Sequence, residues 1–261
     1  MAASPPTVSV VIPCLDDAEL LAGALASLAR QTRAPLEVVV VDNGSTDGSA
    51  RVAKEAGALV VTEPVRGIPA AAAAGYDAAA GDIIARCDAD CVLPPDWIEK
   101  LQAAFAADPA LSALSGPGRF RGFPRPLARA VDRLYLGSYY LAMGAALAHR
   151  PLFASNLALR RTVWEQVRSE VHRADPEQHD DVCLSFHLGQ RFRCAYRSDL
   201  AVAMDSRAVL GAANLRRRFR RAFHTLRVHW RDGGQPWVRW QLRLAGGRAP
   251  AGPAGYGSGA A

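Results

Sequence analysis

The feature that most constrains this chain is the regular alternation, over its first 107 residues, of short β-branched runs with segments of helical periodicity. Thr7 to Pro13 is β-branched and apolar and Leu36 to Val41 is nearly all valine, as strands buried on both faces are. Between them Leu20, Leu21, Ala24, Leu25 and Leu28 recur at helical spacing, behind Asp16, Asp17 and Glu19, which the positive end of a helix dipole favours. The pattern continues with a helix near Gly48 to Ala56, a strand at Ala58 to Thr62 and an alanine-rich helix from about Pro69 to Ala80. A strand at Asp82 to Cys87 and a helix from Asp96 to Ala107, opened by Pro94-Pro95, follow. Such alternation implies right-handed crossovers, and hence an α/β fold with a doubly wound, mostly parallel sheet and helices on both faces.

Ligands of such sheets bind beyond the carboxyl ends of the strands, and the polar residues collect there: Asp16-Asp17, Asp42 to Gly48, Glu63 to Gly67, and Asp88 to Asp90. After residue 107 the pattern loosens. A strand is expected around Leu111 to Phe120, a helical stretch over Pro126 to Ala148, a short strand at Ser155 to Arg160, a helix over Glu177 to Leu188 and a last strand at Ala201 to Asp205. The domain organisation that follows is an α/β domain over 1–205, regular over 1–107 and looser over 108–205, a basic helical region over 206–245 and a Gly/Ala/Pro-rich disordered tail over 246–261.

The basicity is local. The segment Leu215 to Arg231 holds seven arginines and no acid, and without them a formal charge of +6 becomes −1. One basic segment points to a docking surface; a non-catalytic nucleotide- or nucleic-acid-binding module is the rival reading, but it leaves the acidic strand ends unexplained, so no nucleic acid is expected as a partner. Leu215, Phe219, Ala222 or Phe223, Leu226 and Trp230 fall on one helical face among these arginines. Such a helix either attaches peripherally to an anionic membrane or packs its apolar face on the domain. The amino terminus has no basic leader, and the longest charge-free run, Leu134 to Ala148, is too short for a membrane span. The five cysteines lack paired spacing and read as reduced, buried thiols of a cytoplasmic protein. Cys87 and Cys91 have no second pair of cysteines or histidines at zinc-binding spacing.

Asp88-Ala89-Asp90 lies between a strand end and a Pro-started helix, which lets both carboxylates project into the crevice. Hard oxygen ligands suit Mg²⁺ or Mn²⁺, with diphosphate oxygens completing the octahedron and the cation neutralising a departing nucleotide diphosphate. Asp42, directly after Val38 to Val41, can accept bonds from a nucleobase or ribose, while Thr46 or Asp47 caps the next helix. Asp180 or Asp181, near a helix start, is either a general base toward an acceptor hydroxyl or a dipole-favoured acid. Arg66 is either a phosphate ligand or an ordinary surface arginine.

Val8 to Asp17 (VSVVIPCLDD), Val38 to Gly48 (VVVVDNGSTDG), Gly81 to Trp97 (GDIIARCDADCVLPPDW) and His179-Asp180-Asp181 resemble the successive motifs of family-2 glycosyltransferases, in order over roughly the first 205 residues. The resemblance implies a GT-A fold, a nucleotide-diphosphate sugar donor, an inverting single displacement and an acceptor hydroxyl, possibly lipid-linked. It further implies Asp42 as the base-binding aspartate, Pro13 and Leu15 as lining of the nucleobase pocket, Asp90 as principal metal ligand and Asp88 beside the sugar and ribose. Asp181 is implied as catalytic base within an acidic pair with Asp180. Two departures stand out: alanines precede Gly75 where the family commonly has Arg-Asn, and the acidic pair is Asp-Asp in place of Glu-Asp. A sugar-phosphate nucleotidyltransferase would need a glycine-rich basic loop after the first strand, where this chain has the acidic Cys14-Leu15-Asp16-Asp17.

Overall fold

The computed structural model describes residues 4–208, 210–231 and 234–246. In chain order the first half runs β1 (Val8–Cys14), α1 (Ala18–Ala29), β2 (Glu37–Asp42), α2 (Ser49–Glu55), β3 (Leu59–Thr62), α3 (Ile68–Ala78), β4 (Ile83–Arg86) and α4 (Trp97–Ala107). The second half runs β5 (Leu111–Ser115), β6 (Gly118–Phe120), α5 (Arg125–Val131), a π-helical turn (Asp132–Leu136), α6 (Gly137–Leu147), β7 (Leu157–Arg160), α7 (Arg161–Val167), α8 (Asp180–Leu188), β8 (Arg193–Tyr196) and β9 (Val202–Met204). The helices α9 (Ala212–Arg231) and α10 (Pro236–Leu244) close the described chain.

The main sheet has seven strands in the order β3-β2-β1-β4-β7-β5-β8. β3, β2, β1 and β4 are mutually parallel, β7 runs antiparallel between β4 and β5, and β8 is parallel to β5. Side chains on a strand alternate between faces, and the core divides accordingly. Val8, Val10 and Ile12 of β1 pack with Leu21, Leu25 and Leu28 of α1 and with Trp97, Ile98 and Leu101 of α4. Val11 of β1 joins Ala71 to Ala73 and Tyr76 of α3, Trp164 of α7 and Leu184 of α8. This is the expected α/β architecture with helices on both faces. Gly75 lets α3 lie directly on the sheet, because a Cβ there would overlap the methyl groups of Val11 and Val41.

Three sequence expectations are corrected. The strand expected over Leu111 to Phe120 is two strands: Pro117 has no N–H to continue the ladder, and β6 beyond it pairs with β9 in a separate two-stranded sheet. Within α9, Leu226 is buried, and Ala222 and Trp230 are partly buried against Met143, Leu147 and Val182, whereas Phe219 and Phe223 are exposed. The buried stripe instead takes in Thr225 and His229, so the helix is turned away from the face that its apolar residues alone define. Thr46 caps no helix: its N–H donates to Asp16 Oδ1, and Asp47 Oδ1 accepts from Ser49 N and Oγ at the start of α2. Among the described residues no helix is long and apolar enough to cross a membrane. The disordered tail expected over 246–261 lies, apart from Gly246, outside the described residues.

Candidate functional site

Asp88 and Asp90 stand just past the carboxyl end of β4, where alternation sends Cys87, Ala89 and Cys91 into the core and leaves both carboxylates half-buried at the rim. They are not equivalent. Asp88 Oδ1 accepts from Arg86 Nη2 at 3.2 Å and Oδ2 from Ser155 Oγ at 2.6 Å, so the protein already holds both oxygens. At the Asp90 carboxylate, the only donor among the described residues is the Cys91 thiol at 3.8 Å. Burial first, and then the Asp88 charge, push the Asp90 carboxyl up to about 7; Arg207 opposes this, and Asp205 and Asp17 add to it. Four carboxylates thus crowd the rim: Asp17 is tied to Arg207 at 2.6 Å and Asp88 to Arg86 at 3.2 Å, while Arg121 reaches only the backbone carbonyl of Asp90, at 3.3 Å. An oxygen-rich, under-compensated cluster of this kind fits Mg²⁺ or Mn²⁺, with Asp90 as the available ligand.

Beside it lies the loop system of β1 and β2. Asp16, with a left-handed backbone at φ 52°, donates its N–H to Ser45 Oγ, and its carboxylate accepts from Thr46. The two loops are thereby locked together. Asp42 ends β2 half-buried, and its Oδ1 accepts from Ser45 N at 3.0 Å, so it shapes the turn as well as facing the crevice edge. Pro13 is buried in β1 opposite Val41, which leaves Leu15, 39% exposed, as the member of that pair with side-chain surface to offer. Arg66 is exposed and folds over the β2 loop, donating to the carbonyls of Asn43 and Gly44.

His179-Asp180-Asp181 opens α8, with both aspartates in its first turn. Asp180 is paired with Arg86, a side chain only 2% exposed that also reaches Asp88. One buried guanidinium therefore joins the rim at β4 to the start of α8. Asp181 is 1% exposed: Oδ1 meets His179 Nδ1 at 2.6 Å, and Oδ2 accepts from Ala154 N at 3.0 Å and Tyr139 Oη at 3.2 Å. Burial pushes its carboxyl up, but the His179 charge and hydrogen bond, the Ala154 N–H and Arg86 outweigh it and pull it down to about 2. The His179 ring is the more open member of this pair, at 22% side-chain exposure against 2% for Asp181.

The arrangement thus joins Asp88 to Asp180 through Arg86, with Asp90 and Asp181 two and one residues further along the same segments and Asp42 and Leu15 on the neighbouring loops. Ser155, Tyr139, Asp205 and Arg207 were given no role by sequence reading, and His179 and Arg86 stood inside the motifs without one.

The sequence model described as glycosyl transferase family 2 matches residues 9–165, more than half of the chain. The chain belongs to glycosyl transferase family 2. Within the family it is similar to an uncharacterized glycosyltransferase of Mycobacterium bovis, 44% identical over 96 residues that cover 37% of this chain and 42% of the relative. An undecaprenyl-phosphate 4-deoxy-4-formamido-L-arabinose transferase of Pseudomonas fluorescens is 35% identical over 106 residues, 37% of this chain and 31% of that protein. The matches to these curated relatives span less than half of their length. Among solved structures, a mannosyltransferase of Pyrobaculum calidifontis in complex with GDP-mannose and Mn²⁺ shares the fold. It aligns with a TM-score of 0.64 at 24% identity, over 94% of this chain and 70% of that one. The GT-A fold and the family membership expected from the motifs both hold.

Proposed function

We propose that this family-2 glycosyltransferase moves a sugar from a nucleotide-diphosphate donor to an acceptor hydroxyl with inversion, in cell-envelope glycolipid or polysaccharide synthesis. The observation that carries the reading is the Asp90 carboxylate, free of strong protein donors at a strand end and crowded by Asp88, Asp205 and Asp17. A divalent cation, Mg²⁺ or Mn²⁺, held by Asp90 with Asp88 beside it, supplies charge neutralisation for the departing nucleotide diphosphate. The Mn²⁺ and GDP-mannose of the Pyrobaculum enzyme support this choice of cation and donor class. Asp42, Leu15 and the backbone at Pro13 hold the nucleoside, Arg66 swings from its loop carbonyls to the diphosphate, and Asp88 orients the sugar and ribose.

The acceptor oxygen attacks the anomeric carbon as the bond to the diphosphate breaks on the opposite face. Its proton goes to the His179–Asp181 pair. Asp181 supplies the negative charge and fixes the ring through Nδ1, and the more exposed imidazole faces the acceptor. Arg86 and Asp180 hold this pair at a set distance from the metal rim. If Asp181→Asn transferred sugar at near the wild-type rate with donor binding intact, this assignment would be wrong.

Residues 1–205 form the catalytic domain in this reading, and 206–245 a helical appendage that meets the inner, cytoplasmic face of a membrane bearing a lipid-linked acceptor. Support comes from Phe219 and Phe223 of α9 and Trp237 and Leu244 of α10, all exposed, with the exposed Arg216 and Arg217 nearby in sequence. The undecaprenyl-phosphate transferase relative supports the same class of acceptor. Vesicles containing anionic lipid should retain the wild type and release a variant carrying Arg216→Glu and Arg217→Glu. Failure of the wild type to bind would sink this part of the reading. The donor reading is tested by thermal shift with UDP-, GDP-, CDP- and dTDP-sugars, with and without Mn²⁺. One donor should stabilise the protein only with metal, and Asp90→Ala should abolish the effect; no stabilisation by any donor contradicts it.

A further inference from the structure

Along α8, beyond the first turn that carries Asp180 and Asp181, four side chains from three parts of the chain converge. Cys183 and His187 lie four residues apart on one face of α8, His172 comes from the loop after α7, and His229 from α9. One ligand atom from each, the Cys183 sulfur and an imidazole nitrogen of the three histidines, all lie within 4.8 Å of one another. The Cys183 Sγ to His172 Nδ1 distance is 3.6 Å. A tetrahedral zinc ion with bonds of about 2.0–2.3 Å sets its ligand atoms about 3.3–3.6 Å apart, so the cluster needs only a small contraction to close round one.

Two independent features point to a ligand in the middle. Nε2 of His229, a residue 2% exposed, and Nε2 of His187 are both buried without a hydrogen-bond partner among the described residues. Buried polar atoms of this kind are costly unless something satisfies them. The opposite nitrogen of His187, Nδ1, lies 3.2 Å from Glu170 Oε2. That contact fixes Nε2 as the free lone pair, as carboxylates do behind metal-bound histidines.

We propose that Cys183, His172, His187 and His229 bind one zinc ion in a closed, tetrahedral, structural site that fastens α9 to α8. On binding, the Cys183 thiol loses its proton to solvent and its thiolate forms the Zn–S bond, while each histidine gives one nitrogen lone pair. No open coordination position remains, and the soft and imidazole donors distinguish the site from the all-oxygen rim at Asp90. The zinc ties the basic helix to the helix whose first turn carries Asp180 and Asp181.

The test uses the full chain carrying Asp90→Ala, so that the acidic rim contributes no metal. After desalting, elemental analysis should find one zinc per chain, held with a Kd of about 50 nM or tighter, and Cys183→Ser should lose it. If Cys183→Ser does not fold, the parent protein loaded with Co²⁺ decides alone. Thiolate-to-cobalt charge transfer with intense tetrahedral d–d bands supports the site. A parent protein that retains no zinc and gives only weak octahedral cobalt bands overturns it.

Discussion

Arg86 offers the sharpest test of how the fold holds its site. The side chain is 2% exposed and bonds Asp180 through Nη1 and Asp88 through Nη2, while its Nε has no partner among the described residues. Arg86→Met keeps much of the packing volume and removes the charge. Asp180, with a side chain 12% exposed, then loses its countercharge in the interior, a change that costs about 3–5 kcal/mol. Asp88 is 34% exposed and keeps Ser155 Oγ, so it adds little. With an m-value near ~3 kcal/mol/M for a chain of this size, the urea midpoint should fall by about 1–1.7 M. Circular dichroism during urea titration measures it. Arg86→Met combined with Asp180→Asn should recover at least half of the loss, because the stranded charge is gone. Arg86→Lys should recover less, since one ammonium cannot span both carboxylates. A midpoint shift below about 0.3 M, or a double variant no more stable than the single one, would refute the view that this cation compensates buried charge.

Gly75→Ala should destabilise by about 1–3 kcal/mol, since its Cβ has to displace α3 from Val11 and Val41; a calorimetric Tm unchanged within error would contradict that. Asp181 makes stability depend on pH in a defined direction. Its folded-state pKa lies below the unfolded value, so its contribution is fully present above the ordinary carboxylate range and is lost as pH falls through the folded value of about 2. Of about 2–3 kcal/mol, about half should remain at pH 3. The Tm gap between wild type and Asp181→Asn should therefore narrow between pH 6 and pH 3, and a constant gap would count against the pairing.

The part of the fold legible in the sequence was the part built from local pattern. β1 to β4 and the helices between them announce themselves by valine runs and apolar spacing, and their ends locate Asp42, Asp88 and Asp90. β8 and α7 went unseen because Arg193–Tyr196 and Arg161–Val167 are short and interrupted by charge, so neither period develops. The site's wiring was hidden for a different reason. Arg86 meets Asp180 and Arg207 meets Asp17, contacts between residues 94 and 190 apart, and no periodicity encodes them. The same holds for His172 and His229, which look like ordinary polar residues until α9 folds back on α8.

The central claim is that Asp90 holds the cation through which the donor is activated. Its most direct test is the turnover of the donor selected by the thermal-shift panel, followed as nucleoside diphosphate release with water standing in for the acceptor. The account predicts Mn²⁺- or Mg²⁺-dependent release that a chelator stops and that Asp90→Asn lowers by about 10³-fold or more, roughly 4 kcal/mol of barrier. Release that persists in chelator, or an Asp90→Asn rate within tenfold of wild type, would contradict it.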